Sequence, residues 1–351
     1  MAGERPGVAE RPRGSRGALL DDYDALLLDL DGVVYLGRAA VPGAADSLGK
    51  AREHGVRLAY VTNNASRTPG AIAEHLTSLG IPATGDDVVT SAQAAARLIA
   101  ERVPAGSPVL VVGGTGLRWA LRAHGLRPVS AAAERPAAVV QGIAPDLSYA
   151  LMSEGAIAVR EGALFVAANA DSTMPTGRGE VPGNGAMIQV IRTATGVDPI
   201  VAGKPMRPLH REAIIRTGSS RPLVVGDRLD TDIEGANNAG ADSLLVLTGV
   251  ARPADLLTAP PEHRPTHIAD DLSGLLVPHE PVTLDGDCAA CAGWTARWTG
   301  GHLELHGSGT RSDALRAACA AAWSAAAEGR LTPDQVAPAL SALPPATPPS
   351  P

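Results

Sequence analysis

Two acidic residues separated by one position, Asp29 and Asp31, follow directly after the apolar run Ala25–Leu28. This run has the length of a strand, and Gly32 ends the extended pattern. A short strand without polar residues suits the centre of a parallel sheet, because such a strand is covered on both faces. Open α/β folds bind their ligands at the carboxyl edge of the sheet. The segment therefore predicts an α/β fold in which both carboxylates project into a site.

The alternating acids have a second interpretation, which is the start of a calcium-binding loop. Such a loop needs oxygen ligands at every second position and a terminal Glu. Val33, Tyr35 and Ala40 stand at those positions. We therefore exclude a calcium loop and interpret the pair as acids at a strand end.

The composition is that of an ordinary globular protein of two or three domains, with 351 residues, 45% of them hydrophobic and 19% charged. The sequence has no apolar run long enough to span a membrane, and the segment Met1–Gly17 lacks the apolar stretch of a signal peptide. The three cysteines are too few for a disulfide framework. We therefore expect a cytoplasmic protein without a membrane partner. The net charge of -7 also argues against nucleic acid as a partner.

Alternating strands and helices organise the chain into a core with an insert. The strand Val56–Val61 and a helix that begins at Pro69 continue the pattern of the first strand, which predicts a Rossmann-like parallel sheet with right-handed crossovers. The alternation of strands and helices then repeats in a second stretch of the chain, which we interpret as a separate domain. We predict a disordered basic tail over residues 1–20, a catalytic core over 21–84 and 199–275, an inserted α/β cap domain over 85–198, and a small, partly disordered C-terminal extension over 276–351.

Three later strand ends add reactive groups at the same predicted edge. Thr62 contributes a hydroxyl, Lys204 an ammonium group, and Asp227 and Asp232 two further carboxylates. Several acids around one cleft repel each other, and a divalent cation resolves this repulsion. Because carboxylate oxygens and water are the ligands that Mg²⁺ prefers, the acids predict a magnesium site.

The same edge offers groups that bind an anion. The ammonium group of Lys204, the hydroxyl of Thr62 and the backbone N–H groups of Asn63 and Asn64 are suited to hold an oxyanion. An anion held beside Mg²⁺ and a carboxylate nucleophile indicates phosphoryl transfer. The partner that we expect is a small phosphorylated metabolite.

Four short motifs follow one another along the chain: Asp29-x-Asp31-Gly32, Thr62-Asn63-Asn64, Gly203-Lys204-Pro205 and Gly226-Asp227-Arg228-x-x-Thr231-Asp232. In this order and spacing they resemble the motifs of haloacid-dehalogenase-like phosphatases that carry a large C2-type cap between the second and third motif. Within that family, the segments 61–67 and 181–185 are most similar to actinobacterial glycerol-3-phosphate phosphatases. Two positions depart from the family pattern, since Val33 replaces the commoner Thr and Ala168 stands where relatives often carry Thr.

The resemblance implies a role for each acid. Asp29 is the expected nucleophile, which forms an aspartyl-phosphate, and Asp31 is the expected general acid for the leaving alcohol and then the base for water. Mg²⁺ is expected to bind Asp29, the backbone carbonyl of Asp31, and Asp227, with Asp232 as support beside these ligands. Lys204 is expected to neutralise the phosphoryl oxygens. The resemblance also leaves a homodimer open.

The residues of the predicted cap favour a small polar substrate. Flat rings are usually held by stacking on aromatic side chains, and the segment 168–185 contains none. It is rich in short polar groups, among them Asn169 and Asp171, which we predict to contact hydroxyl groups of the substrate. The expected substrate is glycerol 3-phosphate or a similar small polyol phosphate.

Two alternatives stay open at this point. The first is the same chemistry on pyridoxal phosphate or on nucleoside monophosphates. The second is a phosphate-sensing module without turnover. A module of that kind is expected to have lost at least one catalytic group, whereas this chain retains the set Asp29, Asp31, Thr62, Lys204 and Asp227.

A pair of cysteines in the C-terminal extension approaches the spacing of a zinc site. Cys288 and Cys291 are followed by His302 and His306, but the alternation around the two histidines predicts a strand. Four residues of strand separate two side chains by roughly 13 Å, which is too far for one ion. We therefore interpret the segment as a reduced hairpin that packs beside a helix over Ser312–Glu328.

Overall fold

The computed structural model describes residues 9–176 and 178–346. The chain divides into two compact units: the first consists of Met1–Ala59 and Thr217–Pro351, and the second of Tyr60–Arg216. The strands are β1 (Ala25–Leu28), β2 (Tyr35–Leu36), β3 (Ala39–Ala40), β4 (Arg57–Thr62), β5 (Val88–Thr90), β6 (Pro108–Val112), β7 (Arg127–Val129), β8 (Ala138–Gln141), β9 (Leu164–Ala167), β10 (Thr173–Thr176), β11 (Gly179–Pro182), β12 (Ile200–Val201), β13 (Pro222–Gly226), β14 (Asp242–Val246), β15 (His267–Ala269), β16 (Thr283–Asp285), β17 (Cys288–Cys291), β18 (Trp294–Thr299) and β19 (His302–Gly307).

The α-helices surround these strands, and short 3₁₀ turns join several of them. The helices are α1 (Leu19–Asp22), α2 (Ala44–Glu53), α3 (Pro69–Ser78), α4 (Ser91–Ala100), α5 (Thr115–Ala123), α6 (Tyr149–Arg160), α7 (Asn184–Thr195), α8 (Arg207–Thr217), α9 (Glu234–Ala239), α10 (Pro253–Leu257), α11 (Arg311–Ala327) and α12 (Ala337–Ala342). Within the described ranges, none of the helices is both long and apolar enough to cross a membrane.

The first unit is built on a parallel sheet in which β1, β13, β14 and β15 lie side by side. The strand β1 is buried at every position, as its apolar sequence predicts. Its last residue, Leu28, pairs with Val225 of β13, and the register continues with a hydrogen bond of 2.9 Å from the Asp29 N–H to the Val225 carbonyl. The carboxyl ends of β1 and β13 therefore lie next to each other. The predicted α/β fold with a parallel sheet is confirmed.

The described part of the C-terminal extension, through residue 346, belongs to the first unit. Its four strands form an antiparallel sheet in the order β16, β17, β18, β19, and α11 packs on one face. Trp323 of α11 is fully buried, and its indole N–H donates to the Leu256 carbonyl at 3.0 Å. Leu256 and Ile268 of the core lie in the same hydrophobic cluster as Trp294. The described part of the extension therefore contributes to the core of this unit, and the prediction of a small, partly disordered extension over 276–351 stays a prediction.

The N-terminal segment is also held by specific contacts. The backbone N–H of Arg13 donates to the Thr266 carbonyl at 2.8 Å, and that of Ser15 donates to the His279 carbonyl at 2.7 Å. Ala9 is buried. Residues 1–8 of the predicted disordered tail lie outside the described residues. Within residues 9–20, Arg13 and Ser15 thus pair with the core, and the disordered basic tail over 1–20 stays a prediction.

The second unit contains the end of β4 paired with β5, and a parallel sheet of five strands in the order β12, β9, β8, β6, β7. The three central strands of this sheet are β9, β8 and β6. Helices α6 and α7 cover the sheet, and the core contains Leu110, Val139, Phe165 and Ile191. A two-stranded ribbon, β10 with β11, follows β9. The unit begins before and ends after the predicted cap over 85–198, whose boundaries stay a prediction.

Candidate active site

Three carboxylates of the first unit lie close together at the ends of neighbouring strands. Asp29 follows β1 and is half-buried, whereas Asp227 follows β13 and Asp232 lies in the next helical turn, and both are 1% exposed. Each contributes an oxygen atom that lies within 4.8 Å of the others. The pairing of β1 with β13 positions the first two, and the turn after β13 brings in the third.

Asp227 is held by a turn that follows β14. Its carboxylate accepts a hydrogen bond of 2.7 Å from the Val250 N–H, and its backbone carbonyl accepts one of 2.9 Å from Ala251. The hydroxyl of Thr248 donates to the Gly32 carbonyl in the turn after β1. A Cβ atom at Gly249 would overlap the Asp227 carboxylate. Sequence reasoning missed this turn, although a Thr-Gly pair at the end of an apolar run was a usable signal.

Asp232 is held by the turn that follows β13. Its carboxylate accepts a hydrogen bond of 3.1 Å from the Arg228 N–H. The Arg228 guanidinium binds Asp230 at 2.9 Å, and this hydrogen bond raises the pKa of Arg228 above its ordinary value. Asp232, which we predicted to support the metal ligands, therefore lies in one cluster with the predicted ligands Asp29 and Asp227.

The donor chemistry of this group fits a divalent cation. Two buried carboxylates beside a third are costly because like charges repel and burial disfavours ionised groups. Hard carboxylate oxygens are what Mg²⁺ and Ca²⁺ bind. Asp31 is exposed, and its side chain is not one of the three. The backbone of Asp31 bridges to Tyr35 in the turn that closes over Gly32.

The remaining predicted site residues form a polar cluster in the second unit. Lys204 is 4% exposed, and its ammonium group donates to the Val61 carbonyl at 3.4 Å. Asn63 binds Lys204 and Asp171 through its carboxamide. The carboxamide of Asn169 donates to the Asn63 carbonyl at 2.7 Å. Thus Asn169 and Asp171 meet the residues of the second and third motif, and their predicted contact with substrate stays a prediction.

The segment after Thr62 forms a tight polar turn. The backbone N–H of Asn64, which we predicted to bind an oxyanion, donates to the Thr62 hydroxyl at 3.1 Å. The Asn64 side chain accepts hydrogen bonds from the backbone of Ser66 and Arg67 at 3.0 and 3.2 Å. Asn64 therefore shapes the turn in this structure.

A buried histidine beside Lys204 has no counterpart in the sequence predictions. His210 of α8 is 1% exposed. Burial, and then the positive charge of Lys204, lower the pKa of His210 to about 3. The imidazole is therefore neutral near pH 7 and adds no positive charge beside Lys204.

The predicted site residues thus fall into two sets, each brought together within its own unit. Asp29, Asp31, Asp227 and Asp232 belong to the first unit, and Thr62, Asn63, Asn64, Asn169, Asp171 and Lys204 to the second. The expectation that both sets serve one site stays a prediction.

Family models match three parts of the chain. The model described as haloacid dehalogenase-like hydrolase matches residues 26–127, and the one described as HAD-hydrolase-like matches residues 201–275. A model described as a GCN5-related N-acetyltransferase like domain matches residues 291–343. This third match covers β18, β19 and α11, a likeness that sequence reasoning missed.

Characterised relatives cover most of the chain. The D-glycerol 3-phosphate phosphatase of Mycobacterium tuberculosis is 46% identical over 319 residues, which are 88% of this chain and 88% of the relative. The 5'-nucleotidase YutF of Bacillus subtilis is 39% identical over 72% of this chain and 96% of its own length. A crystal structure of the glycerol phosphate phosphatase of M. tuberculosis in complex with magnesium has a TM-score of 0.80 at 46% identity, and the match covers 88% of this chain and 92% of that chain.

Proposed function

This chain belongs to the haloacid dehalogenase-like hydrolases, and we propose that it is a Mg²⁺-dependent phosphomonoester hydrolase that acts on glycerol 3-phosphate or a similar small polyol phosphate. The observation that carries the proposal is the group of three carboxylates from Asp29, Asp227 and Asp232 at the ends of two paired strands. A nucleophile and a metal site at one sheet edge are the minimum that the reaction needs.

The metal site consists of oxygen donors from this chain. Asp29, Asp227 and Asp232 would hold Mg²⁺ together with the backbone carbonyl of Asp31, which the resemblance to the family adds. When bound, Mg²⁺ neutralises charge on the phosphoryl oxygens. The magnesium complex of the M. tuberculosis relative supports this choice of ion.

The reaction needs two steps at the end of β1. A carboxylate oxygen of Asp29 attacks phosphorus, the bond from phosphorus to the ester oxygen breaks, and Asp31 donates a proton to the departing alkoxide. Asp31 then takes a proton from a water molecule that attacks the aspartyl-phosphate, which releases inorganic phosphate and restores Asp29. The exposed position of Asp31 supports this role, because both the alcohol and the water arrive from solvent.

The phosphate-binding groups come from the second set. Lys204 supplies a buried positive charge and Thr62 a hydroxyl, and both are suited to bind phosphoryl oxygens. His210 beside Lys204 is neutral near pH 7 and adds no positive charge there.

Two lines of support favour a small polyol phosphate as the substrate. The M. tuberculosis relative of 46% identity is a D-glycerol 3-phosphate phosphatase, and its match covers 88% of this chain. The segment 168–185 lacks the aromatic side chains on which pyridoxal or a nucleobase would stack. Nucleoside monophosphates are the alternative, because the B. subtilis relative is a 5'-nucleotidase.

The remaining expectations are part of the same proposal. Turnover is favoured over phosphate sensing because no group of the predicted catalytic set has been replaced. A cytoplasmic location agrees with three cysteines in the thiol form. A homodimer stays a prediction.

The test is phosphate release by the purified full chain from glycerol 3-phosphate, pyridoxal phosphate and a nucleoside monophosphate. We expect activity with Mg²⁺, loss with chelator, and the highest kcat/KM for glycerol 3-phosphate. Asp29→Asn should abolish release because an amide cannot attack phosphorus, and Asp31→Asn should lower kcat by about 10²-fold or more. The control is Asp46→Asn on α2, an exposed acid paired with Lys50.

Two results contradict the proposal at different levels. Wild-type rates in Asp29→Asn would show that the cluster of three carboxylates has another role. Activity that does not change when chelator is added would show the same. A tenfold preference for an aromatic phosphate would reject the substrate and leave the phosphatase chemistry standing.

A further inference from the structure

We propose that Asn63 is a positioning residue that fixes the main chain at Lys204, and that Asp171 acts on the reaction through Asn63 and does not contact the substrate. This inference rests on the proposed function, because it concerns how the phosphate-binding lysine of that reaction is held. Asn63, Asp171 and Lys204 all lie within the second unit.

The carboxamide of Asn63 forms a two-point clasp on the backbone of Lys204. Its Oδ1 accepts a hydrogen bond of 2.8 Å from the Lys204 N–H, and its Nδ2 donates one of 3.2 Å to the Lys204 carbonyl. A side chain must both accept and donate to make this pair, and Asn does so with the shortest reach. The clasp therefore fixes the position and direction of the peptide from which the lysine side chain projects.

Asp171 holds the clasp in its orientation. The Asn63 Nδ2 has two protons, and besides the Lys204 carbonyl it donates to the Asp171 carboxylate, at 3.0 Å to Oδ1 and 3.3 Å to Oδ2. A charged acceptor strengthens such a hydrogen bond and disfavours a 180° rotation of the Asn63 carboxamide, which would exchange its Oδ1 and Nδ2. The Asp171 carboxylate is thereby engaged with Asn63, which is a different role from binding a hydroxyl group of the substrate.

The backbone of Asn63 is fixed as well. Its carbonyl accepts hydrogen bonds of 2.7 Å from the Ser91 hydroxyl and 2.7 Å from the Asn169 carboxamide. Asn169 in turn accepts the Asp171 N–H at 3.2 Å. Asn63 is thus bonded at its backbone and at both polar atoms of its side chain, and this places the carboxamide with little freedom.

The close approach of these groups requires glycine at position 203. A Cβ atom at Gly203 would lie 2.5 Å from Asn63 Oδ1 and 2.7 Å from the Ala168 carbonyl. Real Cβ atoms do not approach oxygen so closely, so an alanine at this position would displace the carboxamide. Gly203→Ala therefore disturbs the clasp without changing any of its polar groups.

The two roles of Asp171 make different predictions for substrate choice. A residue that contacts the alcohol part of the substrate changes the ratio of kcat/KM between two esters. A residue that positions Lys204 lowers kcat/KM for every phosphate ester by the same factor, because all esters share the phosphoryl group.

The experiment compares Asn63→Asp, Asp171→Asn and the double variant on glycerol 3-phosphate and phenyl phosphate. Asn63→Asp removes both N–H donors and faces one carboxylate with another, so kcat/KM for both esters should fall by roughly 10- to 100-fold, the scale of a misplaced catalytic group. In the double variant the side chain at position 171 can donate a hydrogen bond to the carboxylate at position 63. We therefore expect it to recover part of the lost kcat/KM. Gln189→Ala, an exposed side chain on α7, is the control.

A second readout does not depend on turnover. Hydrogen exchange at the Lys204 amide should be slow in the wild type and faster in Asn63→Asp and Gly203→Ala, with thermal unfolding as the check that each variant is folded. If the wild type hydrolyses no ester, the proposed function fails. The exchange rate at the Lys204 amide still shows whether Asn63 holds the Lys204 backbone.

Three outcomes would overturn the inference. One is a changed ratio between the two esters in Asp171→Asn. Another is a double variant no better than Asn63→Asp alone. The third is unchanged exchange at the Lys204 amide in folded Asn63→Asp.

Discussion

Asp227 and Asp232 are each 1% exposed, and a buried carboxylate without partners costs several kcal/mol. Each accepts a backbone N–H, from Val250 and Arg228 respectively. A hydrogen bond to a charged group contributes about 1.5–3 kcal/mol. These two bonds help to fix the carboxylates beside Asp29, which suits a site for a cation.

Buried histidines make stability depend on pH at the residue scale. His267 and His279 of the first unit meet edge to face with ring centroids 5.3 Å apart. Burial lowers the pKa of His279 to about 4 and that of His267 to about 3, from an ordinary value of 6.5. Arg316 adds to the effect on His279, and the charge of His279 adds to the effect on His267. Both rings are therefore neutral in the folded protein near pH 7.

We expect the free energy of unfolding to fall as the pH drops through the window from about 6.5 to about 4. The unfolded chain binds protons there while the folded pair does not, so the slope reaches about 1.4 kcal/mol per pH unit for each histidine. His279→Gln should remove one such contribution, measured by denaturant unfolding at several pH values. The control Gln189→Ala removes an exposed side chain without a titratable group and should leave the slope unchanged. An unaltered slope in His279→Gln would contradict the assignment.

At the scale of elements, the turn after β14 is as much a part of the candidate metal site as the strands that carry the acids. Its backbone binds Asp227 at two points, and its Thr248 hydroxyl binds the turn after β1. Gly249 allows the backbone to approach the Asp227 carboxylate, where a Cβ atom would overlap it. The turn therefore fixes the spacing between the two strand ends.

We expect Gly249→Ala to displace Asp227 and weaken Mg²⁺ binding by about 10-fold or more, the effect typical of changes beside metal ligands. Isothermal titration with Mg²⁺ measures this directly, and the Mg²⁺ requirement of phosphate release measures it a second time. Gly49→Ala is a matched control, because Gly49 lies in α2 with open space around its Cβ position. Equal Mg²⁺ affinity in both variants would show that the turn does not position Asp227.

At the scale of the whole chain, the C-terminal extension and the catalytic sheet of the first unit share one hydrophobic core. Trp323 is fully buried against Leu256, and the Arg264 guanidinium lies 5.3 Å from the centroid of its ring. Arg311 of α11 forms an ion pair of 2.6 Å with Asp270, next to β15. The domain that matches an acetyltransferase-like model thus has a structural role in this unit.

We expect Trp323→Ala to lower the free energy of unfolding by about 3–5 kcal/mol, because it leaves a cavity where the extension meets the core. Chemical denaturation measures the change, and a single transition should persist, since both parts unfold together. Trp119→Ala on α5, which removes a side chain that is 41% exposed, should cost far less. A chain cut after Val282 that stays folded with unchanged stability would contradict the shared core.

Local sequence patterns predict the strands of the parallel sheets and the acidic residues at their ends. Apolar runs that stop at Gly or at polar residues mark β1, β4, β6, β8, β9 and β13, and parallel pairing places the ends of adjacent strands at one edge. This is why the sequence predicts that Asp29 and Asp227 lie close together, as they do in the structure. Local patterns suffice here because each signal lies within a few residues.

Only the tertiary structure decided which groups hold the site in place. Asn63 and Lys204 are 141 positions apart and Asn63 and Asp171 are 108 apart, so no local period encodes their clasp. The same holds for the hydrogen bonds from Arg13 to Thr266 and from Trp323 to Leu256, which join the N-terminal segment and the C-terminal extension to the core of the first unit. A hydrogen bond between distant residues forms when the packing of the intervening chain brings donor and acceptor within about 3 Å, and composition carries no record of that distance.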